Sequence, residues 1–247
     1  MFFLYMAISI QTRNKFIALI KKGKSLNEIT KITGVGKTTV YYHMRKIRGR
    51  RNKPITIKKD NLELLGEVLG FFAGDGSLVN RPDKWDYRVK FFLNIKEVLV
   101  VKNYNDSISR FIGKPATLFN RGSMTIIQIT SKDFCEFIKD YLKFGKSKTK
   151  TIELKNKDLL KNIRFTIGFM KGLIDSDGYV RKDRKEIYFG SISRKLANDF
   201  ISGLNLLSIR FKEYIQKRQN CNDFYKIRIS GVEVDRFNKI IKPIKAS

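Results

Sequence analysis

The chain has little that would crosslink it: of its 247 residues, two are cysteine, four proline and one histidine. Cys135 and Cys221 show no pairing pattern and no metal-ligand spacing, so neither a disulfide scaffold nor a thiolate metal site is expected. Both are read as reduced thiols in a cytosolic protein. His43 has no cysteine or histidine near it to share a metal, which excludes zinc-finger chemistry. Long uncharged apolar runs are also lacking, so no membrane span is expected. The apolar start, Met1 to Ile8, has neither a basic region nor a small-residue cleavage site, and is not read as a signal peptide. The expected location is the cytoplasm, a prokaryotic cytosol ahead of an organelle. Acidic residues are the scarcest class relative to their counterpart, with 23 Asp and Glu against 51 Lys and Arg, a net charge of +28. Such an imbalance points to a polyanionic partner, nucleic acid ahead of a membrane surface. What remains is globular material, 42% hydrophobic and 12% aromatic.

Residues 1–53 carry 13 basic residues against one acidic. Within them the apolar spacing predicts helices over Thr12 to Lys22, Leu26 to Thr33 and Lys37 to Ile47; Ser25 and Glu28 form a capping box, and Gly34-Val35-Gly36 is a turn. This pattern resembles the helix-turn-helix domains of DNA-binding regulators. The resemblance implies that the helix after the turn presents Lys37, Thr38, Thr39, Tyr42 and Arg45 to base edges, with Val40 and Met44 facing inward. His43 then reads as a surface or DNA-contacting side chain. Gly36-Lys37-Thr38 is not a phosphate loop, because Lys31 stands where that motif needs its first glycine. The stretch Arg48 to Lys59 is dense in cations and contains Pro54, so it reads as an extended linker in which Arg48, Arg50 and Arg51 track phosphates.

Beyond the linker the sequence repeats. Gly66, Gly70 and Gly74 recur 102 positions later as Gly168, Gly172 and Ser176, while Ile127, Ile129, Phe137 and Tyr141 recur 100 positions later as Ile227, Ile229, Phe237 and Ile241. Two units of one architecture follow, each helix, strand, turn, strand, helix, strand, turn, strand, helix. Strands are expected near Ser77 to Asn80, Tyr87 to Asn94, Ala116 to Asn120 and Met124 to Thr130, then near Tyr179 to Lys182, Ile187 to Ile192, Arg210 to Lys217 and Phe224 to Ser230. Helices are expected at Val98 to Ile112 and Lys195 to Leu207. The expected fold is α+β: two pseudo-symmetric αββαββα domains at 62–155 and 156–247, preceded by an all-α domain at 1–50 and a linker at 51–61.

Residues four apart stack on a helix, so each glycine series gives its helix a smooth face on which two backbones can approach closely. Pairing the helices would bring Asp75 and Asp177 together at their C-terminal ends, where the helix dipole and mutual repulsion both disfavour negative charge. A hard divalent cation held by oxygen ligands is the simplest group to offset that.

Gly172-Leu173-Ile174-Asp175-Ser176-Asp177-Gly178, with the variant Leu69-Gly70-Phe71-Phe72-Ala73-Gly74-Asp75-Gly76-Ser77, resembles the signature of the LAGLIDADG homing endonucleases, over about residues 60–247. The resemblance implies that Asp75 and Asp177 are the catalytic metal ligands, with the carbonyls of Gly74 and Ser176 beside them, and that Asp175 braces the helix end. It implies Mg²⁺ or Mn²⁺ as cofactor, with Ca²⁺ occupying the site without cleavage. It also implies a monomer whose sheets form a saddle on the major groove of double-stranded DNA and which cuts one bond per strand across the minor groove. Contacts are then expected from Arg81, Lys84, Arg88, Lys90, Asn120 and Arg121 in one half. The other half supplies Arg181, Lys182, Arg184, Lys185, Lys212, Lys217, Arg218, Lys226 and Arg228. The family also places a lysine near each centre: Lys146 is favoured over Lys148 and Lys150 in the first half. In the second, Ala246 stands at the equivalent position and Lys245 is the substitute, which leaves nicking as an alternative to double-strand cutting. Rival readings on the same scaffold are a non-catalytic transcription regulator and a maturase acting on intron RNA; no membrane partner is expected.

Overall fold

The computed structural model describes residues 8–48, 54–217 and 222–246. The chain divides into two compact units, Met1–Pro54 and Ile55–Ser247. In the first, helices α1 (Ile10–Lys21), α2 (Leu26–Thr33) and α3 (Lys37–Arg48) enclose Phe16, Ile20, Ile29 and Val40. Ser25 and Glu28 form the expected capping box at the start of α2, and Gly34, in the left-handed region at φ 65°, ends that helix. Arg50, Arg51 and the side chain of Arg48 lie outside the described residues.

The second unit opens differently from expectation. The end of the supposed linker is pinned, because the amides of Thr56 and Lys58 donate to the carbonyls of Ile112 and Phe111 and Ile55 and Ile57 pack on the core. There follow α4 (Leu62–Asp75), β1 (Gly76–Arg81), β2 (Asp86–Asn94), α5 (Val98–Ile112), β3 (Thr117–Arg121), β4 (Met124–Thr130) and α6 (Lys132–Tyr141). A connection of β5 (Leu142–Lys143), the single turn α7 (Lys148–Thr151) and β6 (Glu153–Leu154) leads to the second repeat. That repeat is α8 (Ile163–Asp177), β7 (Gly178–Arg181), β8 (Glu186–Ser191), α9 (Arg194–Leu206), β9 (Lys212–Gln216), β10 (Phe224–Ser230) and α10 (Val232–Ile241). The fold is thus α+β, two αββαββα halves.

Each half has one four-stranded antiparallel sheet, in the orders β1-β2-β4-β3 and β7-β8-β10-β9. Alternation along β2 and β4 sends Val89, Phe91, Leu93, Ile127 and Ile129 into the core; in the second sheet Ile187, Phe189, Ile227 and Ile229 do the same. The two halves share one continuous core. Its centre is the packing of α4 on α8, helices started by matching caps: Asn61 accepts from Leu64 N–H, and Asn162 from Phe165 N–H.

Between these helices there is no room for side chains. A methyl group added at Gly66 would overlap Phe165 O and lie 2.8 Å from Phe169 N; at Gly70 it would overlap Phe169 O. The reverse holds at Gly168 against Glu63 O and at Gly172 against Glu67 O. The obstacles are backbone atoms, which cannot rotate away as a side chain can. Gly168→Ala and Gly70→Ala are therefore expected to cost about 3 kcal/mol each, whereas Gly145→Ala, which meets only Thr151 Oγ1 at 3.6 Å, should change little. Chemical denaturation of the three variants beside the parent checks this; equal midpoints for all would refute the close contact.

Candidate active centre

Asp75 and Asp177 are the last residues of α4 and α8, and each is followed by a glycine that turns directly into a strand. Gly76 N–H donates to Phe72 O and Gly178 N–H to Ile174 O, and a Cβ at either glycine would overlap the same carbonyl. The seam ends at Gly74, against the side chains of Ser176 and Asp177. Both carboxylates thus sit at the negative ends of two touching helices. Burial, then the charge of Asp177, pushes the pKa of Asp75 up to about 7, against the pull of Lys245 and Lys148. Burial also raises Asp177, again opposed by Lys148 and Lys245. Asp177 keeps accessible surface while protein crowds its base, so it is desolvated on one side and open to an incoming ligand on the other.

Two ammonium groups reach this point from distant segments. Lys148 Nζ donates to Phe72 O at 2.8 Å, Ala73 O at 2.9 Å and Gly74 O at 2.6 Å, satisfying carbonyls that the end of α4 leaves without helical partners. Lys245 Nζ donates to Ser176 O at 2.7 Å and lies 3.6 Å from Glu97. The first-half lysine at the centre is therefore Lys148, and Lys146 is an exposed residue ahead of α7. The connection itself decides this. Thr151 Oγ1 accepts from Gly145 N–H and donates to Ser147 O, Ile152 and Leu154 are buried, and the turn so fixed begins at Lys148. Burial lowers the pKa of Lys148 to about 8, against the pull of Asp177 and Asp75.

Asp175 is a brace, as expected, and its partners come from elsewhere in the chain. Its carboxylate accepts from Tyr104 OH at 3.0 Å and from the backbone N–H of Lys245 at 3.1 Å. Burial raises its pKa to about 6, opposed first by the Lys245 amide. Tyr104, on α5, stacks on Phe71 with ring centroids 3.6 Å apart. Ala73 stands in the first half where Asp175 stands in the second, and there the lysine is held by three carbonyls and lies over the ring of Phe72, 5.1 Å from its centroid.

The remaining site residues divide by face. Strand register puts Arg81, Arg88, Lys90 and Arg121 on the side of the first sheet away from the helices, with Lys84 in the turn at its end. Asn120 belongs to the opposite side: it pairs with Thr125 and accepts from Thr125 Oγ1 at 2.9 Å. Alternation reverses the face at each residue, so Arg121 and Asn120 cannot both face outward. In the second sheet Arg181, Lys212, Lys226 and Arg228 face outward; Lys182, Arg184 and Lys185 lie in the turn, and Lys217 follows β9. Arg218 lies outside the described residues. In the first unit Lys37, Thr38, Tyr42 and Arg45 are exposed and Thr39 is half-buried; Val40 is buried and Met44 packs inward. His43 is not a plain surface group, since its ring packs 4.9 Å from that of Phe16.

Sequence reasoning missed the acidic partners of the outward arginines. Asp86 binds both Arg81 and Arg88, Asp183 binds Arg181, and Glu186 lies 3.3 Å from Arg228. It also missed Trp85, the one tryptophan, 84% exposed at the tip of the β1–β2 turn. Its signal was its position between Lys84 and Asp86, in a turn too short to bury it.

Asp75 and Asp177 offer carboxylate oxygens, which suit a hard divalent cation. Among the described residues no group of three or more His, Cys, Asp or Glu side chains forms a metal cluster, and the nearby carbonyls of Gly74 and Ser176 already accept from lysines.

Residues 164–242 match the family model of the LAGLIDADG-like domain. The structure resembles that of the homing endonuclease I-DmoI in complex with DNA and Mn (TM-score 0.57, 17% identity, 75% of this chain and 98% of that chain). It resembles equally that of an I-DmoI variant in complex with its target DNA in the presence of Mg (TM-score 0.57, 16% identity, 75% and 98%). At these identities the likeness shows the fold. A segment of the glutamine–fructose-6-phosphate aminotransferase of Methanocaldococcus jannaschii is 25% identical over 190 residues, 72% of this chain, and the chain spans 16% of that relative's length.

A raised carboxylate pKa means that the folded state binds its proton more tightly than the unfolded state, whose value is 3.8. The stability this contributes is complete below about pH 4 and is lost as pH rises through about 7. In EDTA, Asp75→Asn should therefore melt about 2–4 °C above the parent at pH 8, the gap closing towards pH 4. A pH-independent gap would refute the burial and repulsion assigned to Asp75.

Proposed function

We propose that this chain, which carries a LAGLIDADG-like domain, is a divalent-metal-dependent endonuclease that hydrolyses phosphodiester bonds in a long, asymmetric stretch of double-stranded DNA. The observation that carries the reading is the pair Asp75 and Asp177, forced together at the ends of two touching helices, each end with a lysine on its carbonyls. A binding protein would gain nothing from two carboxylates raised in pKa at that point, so the non-catalytic regulator is disfavoured. No observation favours an RNA substrate.

Asp75 and Asp177 would hold the cation, with Gly74 O and Ser176 O at its margin. Mg²⁺ is proposed, with Mn²⁺ as substitute and Ca²⁺ binding without turnover; the Mg and Mn complexes of I-DmoI support the choice. When bound, such a cation supplies Lewis acidity for the phosphate and lowers the pKa of a coordinated water. The protein's own contribution is charge and proton handling. Lys148 Nζ, brought to about 8, can accept a proton from an attacking water or return one to the leaving oxygen near neutral pH. Lys245 Nζ, tied to Ser176 O, sets positive charge beside the second centre. The outward arginines and lysines would meet the duplex, and their differing sets in the two sheets imply a target without twofold symmetry.

Duplex libraries incubated with Mg²⁺ test this. Asp75→Asn and Asp177→Asn should each cut at least about a hundredfold more slowly than the parent, and Lys148→Met should accumulate nicked product. Undiminished cutting in both aspartate variants would sink the assignment.

The three-helix unit is proposed as a helix-turn-helix anchor, supported by the exposed Lys37, Thr38, Tyr42 and Arg45 on one side of α3. Removing residues 1–53 should flatten the dependence of log affinity on log salt by about 0.9 for each phosphate that the unit neutralises. An unchanged slope would give that unit a role other than anchoring.

A further inference from the structure

The outward faces of the two sheets share a register and differ in chemistry. In the first, Ser77 pairs with Lys90, Lys90 with Gln128 and Phe92 with Ile126. The equivalent pairs in the second are Tyr179 with Tyr188, Tyr188 with Arg228 and Gly190 with Lys226. Gly190 is thus the counterpart of Phe92, and the place of that phenylalanine side chain is taken on the second sheet by a ring from the neighbouring strand. The ring is that of Phe224, counterpart of Met124: a methyl group added at Gly190 would overlap Phe224 Cζ. Beside this ring lies a cavity of about 290 Å³, lined by Asp177, Tyr179, Tyr188, Gly190, Phe224 and Lys226 among others. Its walls are aromatic, one end is the catalytic-pair residue Asp177, and the Lys226 ammonium stands 4.0 Å from the centroid of the Tyr188 ring.

We propose that this cavity binds the 5-methyl edge of a thymine beside the bond cut by the second half, which makes Tyr179, Tyr188 and Phe224 specificity determinants. The inference rests on the DNA reading above. On the major-groove side of duplex DNA the bases offer hydrogen-bond donors, acceptors and one apolar group, the thymine methyl. An aromatic recess in an otherwise cationic face matches that group, and Lys226 with Arg181 at its rim matches the phosphates on either side. The first sheet carries Ser77, Lys90 and Met124 where these aromatic residues stand, so the methyl requirement is assigned to one half-site.

The test uses the full chain in EDTA, so that binding is measured without cutting. Duplexes are selected from a random library, and each thymine of the selected duplex is then replaced in turn by deoxyuridine, which removes only the methyl. Affinity should fall about fourfold at one position in the second half-site. Tyr179→Ser and Phe224→Met, which install the residues the first sheet already carries at these places, should bind the thymine and uracil duplexes equally. Tolerance of uracil at every position by the parent overturns the proposal, as does undiminished discrimination in both variants. Failure to select any duplex would instead overturn the DNA reading, and this proposal with it.

Discussion

Backbone-to-backbone contact between α4 and α8 is the condition on which the larger unit depends. Helices with side chains between them keep their axes 8–10 Å apart; here Gly66, Gly70, Gly168 and Gly172 let carbonyl oxygens of one helix occupy the space where a Cβ of the other would stand. Two αββαββα halves are thereby joined into one core, and the two C-terminal helix ends arrive side by side. Asp75 and Asp177 come with them, at a point where burial, like charge and the helix dipoles all act against ionisation.

That electrostatic conflict is met by groups distant in sequence. Lys148 comes from the connection between the halves and caps the end of α4, and Lys245 comes from the turn after α10 and caps the end of α8. The second lysine is held across the halves: Asp175 on α8 accepts its amide, Tyr104 on α5 steadies Asp175, and Glu97 faces its ammonium. The two centres therefore carry similar charge by different means. Their lysines differ in support.

The outward faces are asymmetric in a second way. Asp86, Asp183 and Glu186 hold arginines that would otherwise sample many rotamers, so these guanidinium groups are oriented before any polyanion arrives. The Arg181–Asp183 pair, whose carboxylate is exposed, adds little to stability, which leaves orientation as its effect. Around Gly190 the second sheet carries Tyr179, Tyr188 and Phe224 where the first has Ser77, Lys90 and Met124.

Much of the fold was legible because periodicity and spacing are local. The expected bounds of β4, β10, α2 and α5 coincide with the observed ones, and the glycines at intervals of four marked the seam without any knowledge of what lay opposite. Asp75 and Asp177 were legible for the same reason, since each ends a stretch whose pattern is written in consecutive residues. Other features depended on how segments far apart in the chain meet. Lys148 displaced Lys146 because the Gly145 to Thr151 turn is fixed by hydrogen bonds that no spacing rule anticipates. Asn120, though exposed, shares a face with Thr125 rather than with Arg121, because strand pairing, set by β4, decides which alternate residues share a side. Tyr104 and Lys245 met at Asp175 through the packing of α5 and the final turn on α8. Local residue order by itself determined the helices, the strands and the two carboxylates, since these follow from propensity and period. Only the tertiary structure decided which cations those carboxylates meet and which side of each sheet a residue serves, because long-range packing and strand register are properties of the folded chain.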